Sequence, residues 1–579
     1  MSFRKIKRRS NAVDERQLPE HLHPILKRVY AQRGISSMRQ LELSLSRLLP
    51  AMQLSGMAAA MSLLEQALKR QQRILVVGDF DADGATSTAL ALRALRSMGA
   101  VNVHYLVPNR FEYGYGLTPE IVVASLAWRP DLIITVDNGV ASIDGVAAAH
   151  AHGIKVMITD HHLPGTELPQ ADVIVNPNMH DDPFPSKALA GVGVIFYVML
   201  SLRAHLRDVG WFGARGIPEP NMAQFLDLVA LGTVADVVPL DHNNRIMVEQ
   251  GLRRIRAGHC IAGIGALLRV AGRNQRRTVA SDMGFAVGPR LNAAGRLQDM
   301  SIGIECLLTD DQDKANALAV KLDQLNRQRR AIESRMQNDA LDLVEQTSAG
   351  LDDKVLPEGF CLYDEGWHQG VIGILASRIK ERFHRPVIAF ARAGNGEIKG
   401  SARSIPALHI RDLLDEIATT HPGLITKFGG HAMAAGLSLP QAHLDAFRQA
   451  YAQVVAQNLT EDQLNGEVYS DGELEHNQLC LEVAELLRQG GPWGQGFPEP
   501  EFDGVFEILD QRVVAEKHLK LMLKTDGYLP GIDAMVFNFP TVGRCDALKN
   551  IHIVYRLDVN EYRGVLSPQL VVTHLTDVV

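Results

Sequence analysis

Residues 73–88, RILVVGDFDADGATST, decide how the first part of this chain folds. Four apolar residues, Ile74 to Val77, predict a short buried strand, and Gly78 after them favours a turn. Three carboxylates follow at alternate positions: Asp79, Asp81 and Asp83. Acidic groups this close repel one another and raise each other's pKa, so they stay ionised most readily by sharing divalent cations. The stretch therefore predicts a strand that ends at a catalytic metal site.

A calcium-binding EF-hand loop is the other structure in which a D-x-D-x-D-G run occurs. Such a loop carries a bidentate acid at its twelfth position, which counted from Asp79 is Leu90. The run also follows a predicted strand, whereas an EF-hand loop follows a helix. A metal site for catalysis is therefore favoured over a calcium loop or a solvated turn.

The composition is that of a globular protein with several cores. The chain has 579 residues, of which 46% are hydrophobic and 22% charged, and this length predicts three or four domains. No apolar run is long enough for a bilayer and no signal-peptide pattern is found, so we expect a cytoplasmic protein without a membrane partner. Five cysteines without CxxC spacing argue against a disulfide framework or a zinc ribbon.

The net charge of -7 taken alone argues against a nucleic-acid partner. Bound cations would offset part of that charge at the aspartates, and basic clusters recur at 4–9, 273–277 and 327–330. Such clusters are more often solvated surface than phosphate sites. Charge therefore leaves the question of nucleic acid open.

Strands alternate with helices from residue 73 onward. The candidate strands are 74–77, 101–107, 132–136, 154–159 and 172–176. Continuous apolar strands separated by helices predict an α/β fold with a parallel sheet covered on both faces. Sheets of this kind bind ligands beyond the carboxyl ends of their strands.

Potential metal ligands recur at those strand ends. Asp137 follows one strand, the triplet 160–162 (Asp-His-His) follows another, and Asp236 comes after an apolar helical run. Carboxylates mixed with imidazoles suit Mn²⁺, with Mg²⁺ a second choice, and four loops supply enough ligands for two ions.

Beyond the metal motifs, the periodicity changes twice. Residues 310–346 lack Gly and Pro and predict one long helix that sets the separation of two lobes. After Phe502, alternating apolar and polar residues predict a small β-barrel. We expect this barrel to hold substrate, so that a chain ending before Gly466 keeps the reaction on short strands, unless the segment 491–500 packs against the second lobe.

The chain resembles the DHH phosphoesterases, and within them the bacterial single-strand-specific 5′ to 3′ exonucleases. The four motifs that carry this resemblance are DFDADG, TVDNG, TDHHLPG and GTVADVVPL. Further motifs appear in order: PNRFEYGYGL, FPSKALAGVGV, GPRLNAAGRL, EGWHQGVIGILASRIKERF, KGSARS and FGGHAMAAG. The resemblance covers nearly the whole chain.

The resemblance implies a parallel-sheet DHH catalytic domain and a smaller α/β DHHA1 domain joined by the long helix, with a C-terminal OB-fold barrel. The expected divisions are an N-terminal helical extension 1–70, a catalytic domain 71–309, a connecting helix 310–346, a DHHA1 domain 347–460 and an OB-fold domain 466–579.

The resemblance also implies roles for individual residues. Asp137 would bridge two metal ions, Asp81 with Asp79 would serve one ion, and Asp83, His161 and Asp236 would serve the other. His162 would face the scissile phosphate, and Asp160 would orient an imidazole. Ser401 and Arg403 in KGSARS offer a hydroxyl and a planar guanidinium that suit a 5′ phosphate. The remaining candidates for binding DNA are Arg110, Arg290, Arg296, Gly429, Gly430 and His431.

The implied activity is hydrolysis of single-stranded DNA from its 5′ end with two manganese ions, in recombination and repair. The implied partners are single-stranded-DNA-binding protein and a DNA helicase, and the chain is expected to be a monomer. Two alternatives remain: a phosphodiesterase for short oligonucleotides or cyclic dinucleotides, and a non-catalytic scaffold that binds nucleic acid.

Overall fold

The computed structural model describes residues 4–108, 116–349, 356–515, 517–524, 531–539 and 549–577. Within these stretches, none of the helices combines the length and apolar character that a bilayer span requires. The first elements are β1 (Lys5–Arg8), α1 (Pro24–Gln32) and α2 (Met57–Lys69).

A parallel sheet forms the centre of the first lobe, residues 73–308. Its strands are β2 (Ile74–Val77), β3 (Val103–Leu106), β4 (Leu132–Val136), β5 (Lys155–Thr159) and β6 (Val173–Val175). They lie in the order β3-β2-β4-β5-β6, and every neighbouring pair is parallel. The predicted strands 74–77 and 132–136 are confirmed to the residue. Each of the other three is between one and three residues shorter than predicted.

Continuous apolar strands work here because both faces of the sheet are covered. Alternate residues of β2 enter two different cores, with Ile74 and Val76 in one and Leu75 and Val77 in the other. The helices of this lobe are α3 (Ala82–Ser97), α4 (Pro119–Ser125), α5 (Ile143–Ala151), α6 (Gly191–Asp208), α7 (Trp211–Arg215), α8 (Leu226–Ala235), α9 (His242–Arg256), α10 (Ala262–Val270), α11 (Ala280–Asp282), α12 (Gly288–Leu297) and α13 (Ser301–Leu308). The helix α3 packs on α6 and α8, and α4 packs on α5.

The order of the strands places a crevice beside β2. After β3 joins one side of β2, the chain crosses to form β4 on the other side. Connections that leave neighbouring strands toward opposite faces open a crevice at their carboxyl ends, where α/β sheets bind ligands. The motifs DFDADG and TVDNG begin at those two ends.

A single helix, α14 (Gln312–Ala349), leads from the first lobe to the second lobe, residues 356–465. The second lobe contains β7 (Phe360–Tyr363), α15 (Ile372–Phe383), β8 (Val387–Gly394), β9 (Glu397–Arg403), α16 (Ile410–Thr420), β10 (Lys427–Gly430), β11 (Ala434–Pro440), α17 (Leu444–Asn458) and α18 (Glu461–Asn465). Its sheet has the order β10-β11-β9-β8-β7. Ala340 and Val344 of α14 enter the core of this lobe, so the helix is anchored at both ends.

The C-terminal strands close into the predicted barrel. After β12 (Glu467–Ser470) and α19 (Leu481–Gln489), the barrel strands are β13 (Phe502–Val514), β14 (His518–Lys524), β15 (Ile532–Val536), β16 (Asn550–Tyr562) and β17 (Val565–Asp577). Their order is β13-β14-β15-β17-β16. The barrel strands begin at Phe502, and residues 467–501 connect the second lobe to them.

Within the connecting segment, residues 491–500 pack on the first lobe. The sequence analysis considered packing on the second lobe instead. The Trp493 and Phe497 rings stack 5.0 Å apart, and the Arg245 guanidinium of α9 lies 4.2 Å from the Phe497 ring centre. The Leu240 amide donates to the Gln495 carbonyl at 2.7 Å. One hydrophobic core therefore runs from the first lobe through this segment into the barrel.

The sequence predicts a helical extension over residues 1–70, but the described part of this region also contains a strand, β1. The strand β1 pairs in parallel with β12, with Lys5 opposite Glu467 and Arg8 opposite Ser470. Arg8 also donates to Asp503 of the barrel at 2.9 Å. A partner more than 450 residues away stabilises this strand, so local pattern did not reveal it.

Candidate functional site

The loop after β2 holds three carboxylates in different environments. Asp81 caps α3, because its side chain accepts the Gly84 amide at 3.0 Å. Asp83 lies in the first turn of α3 and is buried, and Asp79 is also buried. The alternation predicted from sequence therefore places the acids around the start of one helix, where the helix dipole favours negative charge.

The N-terminus of α6 receives Asp83. The Gly191 and Val192 amides donate to its two oxygens at 2.6 and 3.0 Å. A Cβ at Gly191 would lie 2.6 Å from the Cβ of Asp137 and 2.7 Å from its Oδ1. The absence of a side chain at Gly191 therefore lets the helix approach both carboxylates.

Ligands from the other motifs meet these acids at the same edge of the sheet. Asp137 follows β4 and is buried in a left-handed conformation, φ 62°. The His161 Nε2 lies 3.1 Å from Asp137 Oδ1 and 3.6 Å from Asp236 Oδ2. Asp236 caps the C-terminal end of α8. Four motifs that are far apart in sequence therefore converge.

Three groups of side chains each bring their ligand atoms within 4.8 Å of one another. The groups are Asp79, Asp81 and Asp137; Asp83, His161 and Asp236; and Asp137, His161 and His162. Ligands on opposite sides of a divalent cation lie about 4–5 Å apart, twice a metal–oxygen distance of about 2.1 Å. Because Asp137 and His161 each belong to two groups, the spacing suits two adjacent ions.

Without positive charge nearby, these buried carboxylates are costly to keep ionised together. Burial, together with the charges of Asp81 and neighbouring carboxylates, raises the pKa of Asp83 and of Asp137 well above the usual range. Burial and the Asp81 charge raise the pKa of Asp236 to about 7. Cations would remove this penalty, so the donor set fits hard or borderline divalent metals.

The two histidines differ in protonation. Burial, with the neighbouring His162 charge, lowers the pKa of His161 to about 4, so its neutral ring can offer a lone pair. Burial also acts to lower the pKa of His162, but its hydrogen bond to Asp160 outweighs this and raises it to about 9. The His162 Nδ1 lies 2.7 Å from Asp160 Oδ1, which also accepts both histidine amides. Asp160 therefore fixes the imidazole of His162.

The second lobe contributes a partly buried cationic site. The Arg403 Nη1 donates to Ser401 Oγ at 3.1 Å and to the Ala402 carbonyl at 2.8 Å. A Cβ at Gly373, in the first turn of α15, would lie 2.9 Å from Ser401 Oγ and 3.0 Å from Arg403 Nη2. Burial lowers the pKa of Arg403, and within the described part of the chain no carboxylate lies close enough to form an ion pair with it. A guanidinium and a helix N-terminus together suit an anion.

The other predicted DNA-binding residues lie in varied surroundings. Arg290 forms an ion pair with Asp323 of α14 at 2.8 Å, and Arg296 donates to the Gly370 carbonyl of the second lobe at 3.0 Å. Burial, and after it the charge of His162, lowers the pKa of His431, so the FGGHAMAAG loop of the second lobe lies within electrostatic range of His162. Gly430 has φ 148°, whereas a Cβ at Gly429 would meet open space. Arg110 lies outside the described residues.

The three domain families that match the chain lie in the order of its three folded parts. The DHH family N-terminal domain matches residues 73–233, the DHHA1 domain residues 354–457, and the RecJ OB domain residues 470–574. The single-stranded-DNA-specific exonuclease RecJ of Dickeya dadantii is 57% identical over 571 residues, covering 98% of each chain. The chain belongs to the RecJ family.

Other RecJ proteins agree. RecJ of Escherichia coli is 54% identical over 572 residues, covering 98% of this chain and 99% of that one. The crystal structure of RecJ in complex with Mn²⁺ from Thermus thermophilus superimposes with a TM-score of 0.79 at 30% identity, covering 99% of this chain and 79% of that one. A crystal structure of the same RecJ contains Mg²⁺ and gives a TM-score of 0.72.

Residues that the sequence analysis does not single out hold the loop after β2 in place. The Asn292 Oδ1 accepts the Ala82 amide at 2.8 Å, and a Cβ at Gly295 would collide with the Phe80 carbonyl. Asn138 ties the ends of β2 and β4 by donating to the Val77 and Val136 carbonyls. The motif GPRLNAAGRL contained the first two, but nothing in one sequence indicates which loop they contact.

Proposed function

We propose that this protein removes nucleotides from the 5′ end of single-stranded DNA by two-metal hydrolysis. The observation that carries the proposal is the convergence of all four motifs into three groups of ligand side chains, which share Asp137 and His161 and within each of which the ligand atoms lie within 4.8 Å of one another. The relative from Dickeya dadantii, 57% identical along the whole chain, is a single-stranded-DNA-specific exonuclease. The chain is a metal-dependent exonuclease of the same specificity, and it acts in DNA recombination and repair.

The metal cofactor is Mn²⁺, with Mg²⁺ as a second choice, since carboxylates and one neutral imidazole suit both. Asp79, Asp81 and Asp137 would hold one ion, and Asp83, His161 and Asp236 would hold the other, with Asp137 between them. Two divalent cations held by these residues would supply positive charge that promotes attack of water on phosphorus and stabilises the leaving 3′ oxygen.

His162 supports the reaction from the protein side. With a pKa of about 9, it carries a proton at neutral pH, and Asp160 holds that ring by its Nδ1. The opposite nitrogen, Nε2, then presents an N–H for a phosphate oxygen. A cation beside the scissile phosphate stabilises the charge that develops in the transition state.

The polarity of digestion follows from the anion site in the second lobe. Arg403, Ser401 and the first turn of α15 would bind the 5′ phosphate, while Arg296 and His431 would line the path between the lobes. In this proposal, a terminal phosphate held there would bring the phosphodiester that follows it to the metal cluster. The closed barrel would hold the strand further along by backbone charge and base stacking.

We further propose that the protein works in the cytoplasm as a monomer beside single-stranded-DNA-binding protein and a DNA helicase. The support is the substrate: an exonuclease for single strands needs them exposed, and a helicase generates such strands.

An end-labelled single strand tests the proposal directly. With Mn²⁺ present, a 5′ label should be released as a mononucleotide at once, while a 3′ label should be retained until late in the digestion. Asp137→Ala should abolish cleavage and leave DNA binding largely intact, and Asp144→Ala, an exposed acid of the same lobe, should cleave like the wild type. Early release of a 3′ label, or substantial cleavage by Asp137→Ala, would contradict the proposal.

A further inference from the structure

An exposed aromatic side chain stands out in the segment that precedes α12. Residues Met283–Val287 form a π-helical turn, whose ends, Met283 and Val287, are fully buried. Phe285 in the middle of this turn is 75% exposed. Turns of this type recur at functional sites, because the extra residue redirects side chains without ending the helix.

The π-helical turn is pressed against the end of α8. A Cβ at Gly284 would lie 3.2 Å from Val234 Cγ1, and one at Gly288 would lie 3.0 Å from the Cβ of Ala235. Both contacts are within two residues of Asp236, which closes α8. The glycines on each side of Phe285 therefore hold its backbone beside the metal cluster while its ring stays in solvent.

Val237 is a second exposed apolar side chain next to the end of α8. It follows Asp236 directly, is 62% exposed, and has φ 64°. A β-branched residue in the left-handed region is strained, and glycine is the usual residue at this point after a helix. Strained backbone is retained where the side chain or its direction is needed.

We propose that Phe285 and Val237 form an apolar ledge on which a base of the DNA strand stacks beside the scissile phosphate. The inference rests on the proposed function, and its argument is position. The ledge borders Asp236, and the side chains that form the metal cluster are carboxylates and imidazoles, which bind phosphate and metal but offer no apolar surface for a base. An aromatic face accepts any base, because every base has a π-face.

A single strand suits this ledge better than a duplex does. Each base of a duplex is already stacked and paired, so placing one on Phe285 would require its neighbours to separate. An unpaired base can rotate onto the ring freely. The ledge therefore contributes to the preference for single strands as well as to affinity.

Abasic sites placed one at a time along a 5′-phosphorylated oligonucleotide test the ledge. Dissociation constants are measured by fluorescence anisotropy in EDTA, so that no strand is hydrolysed. For the wild type, we expect one position near the 5′ end at which loss of the base raises Kd roughly tenfold. Phe285→Ala should raise Kd for the intact strand by a similar factor and become insensitive to that abasic position.

Further variants separate stacking from folding. Phe285→Trp should restore the affinity and the position dependence, whereas Phe285→Leu should restore neither. Val101→Ala, a control residue 77% exposed elsewhere on the lobe, should bind like the wild type. An unchanged Kd in Phe285→Ala would overturn the ledge. So would an effect of each abasic site on Kd that is the same in Phe285→Ala as in the wild type at every position. Cleavage by the wild type in Mn²⁺, measured separately, tests the exonuclease activity itself.

Discussion

Gly191 is the position at which one methyl group should disable the metal site. In Gly191→Ala, the new Cβ would lie 2.6 Å from the Cβ of Asp137 and 2.7 Å from its Oδ1. Carbon atoms in contact lie about 3.5–4.0 Å apart, so Asp137 or the start of α6 must move by about 1 Å. Asp137 is held by the backbone after β4, and the Gly191 amide is itself bonded to Asp83, so either movement displaces a proposed ligand.

A displacement of about 1 Å in an active site costs about 100-fold in rate. We therefore expect kcat/KM on a single strand to fall by about 100-fold or more. Titration with Mn²⁺ in a calorimeter should show weaker binding or a lower stoichiometry. The fold should be retained, because alanine is a better helix former than glycine by about 1 kcal/mol.

The matched control lies two residues further along the same helix. In Gly193→Ala, the new Cβ would lie 3.2 Å from Leu189 Cδ2, the end of a flexible side chain, and would face no metal ligand. This variant should keep wild-type Mn²⁺ binding and cleavage. Wild-type kcat/KM and Mn²⁺ binding in Gly191→Ala would refute the reasoning.

Three other predictions concern different parts of the molecule. Arg403→Ala should weaken the use of 5′-phosphorylated strands far more than it weakens Mn²⁺ binding. Arg403→Lys should rescue poorly, because an ammonium lacks the planar fork. Equal cleavage rates for wild type and Arg403→Ala on phosphorylated strands would exclude a role of Arg403 in binding the 5′ phosphate. Phe497→Ala should lower the free energy of unfolding by about 3–5 kcal/mol, in one transition that includes the first lobe. For the same reason, a chain ending before Gly466 should lose cleavage even of short strands. A truncated chain that folds and cleaves would show that the barrel is separable. Burial and the Asp81 charge raise the pKa of Asp236 to about 7, so below that pH Mn²⁺ must displace a proton to bind. The apparent affinity for Mn²⁺ should therefore fall by up to tenfold between pH 7 and pH 6. Calorimetry at pH 6, 7 and 8 measures this affinity, and a constant value would contradict the prediction.

The predicted sheet and barrel depended on local patterns. The strand 74–77 is apolar at every position because two cores cover it, and that requirement is written in four consecutive residues. Barrel strands alternate because one face is buried, and β14 shows that alternation. Patterns of this kind need no knowledge of distant residues.

Contacts between distant residues were beyond such reasoning. The pairing of β1 with β12 joins residues more than 450 positions apart, and neither strand has a pattern that identifies the other. The core shared by Phe497 and the first lobe turned an expected separable barrel into part of one folded unit. The ion pair of Arg290 with Asp323 likewise depends on how α12 lies against α14.

The types of ligand at this site could be predicted from local motifs, because Asp79, Asp137, His161 and Asp236 each follow a recognisable strand or helix. Which ligands lie close enough to share a metal, and which residues hold them there, depends on the tertiary fold. Distances such as the 3.1 Å between His161 Nε2 and Asp137 Oδ1 depend on how two loops and the N-terminus of α6 pack. A motif specifies the chemistry of a side chain, whereas its neighbours across the fold are set by packing among residues that are not near it in sequence.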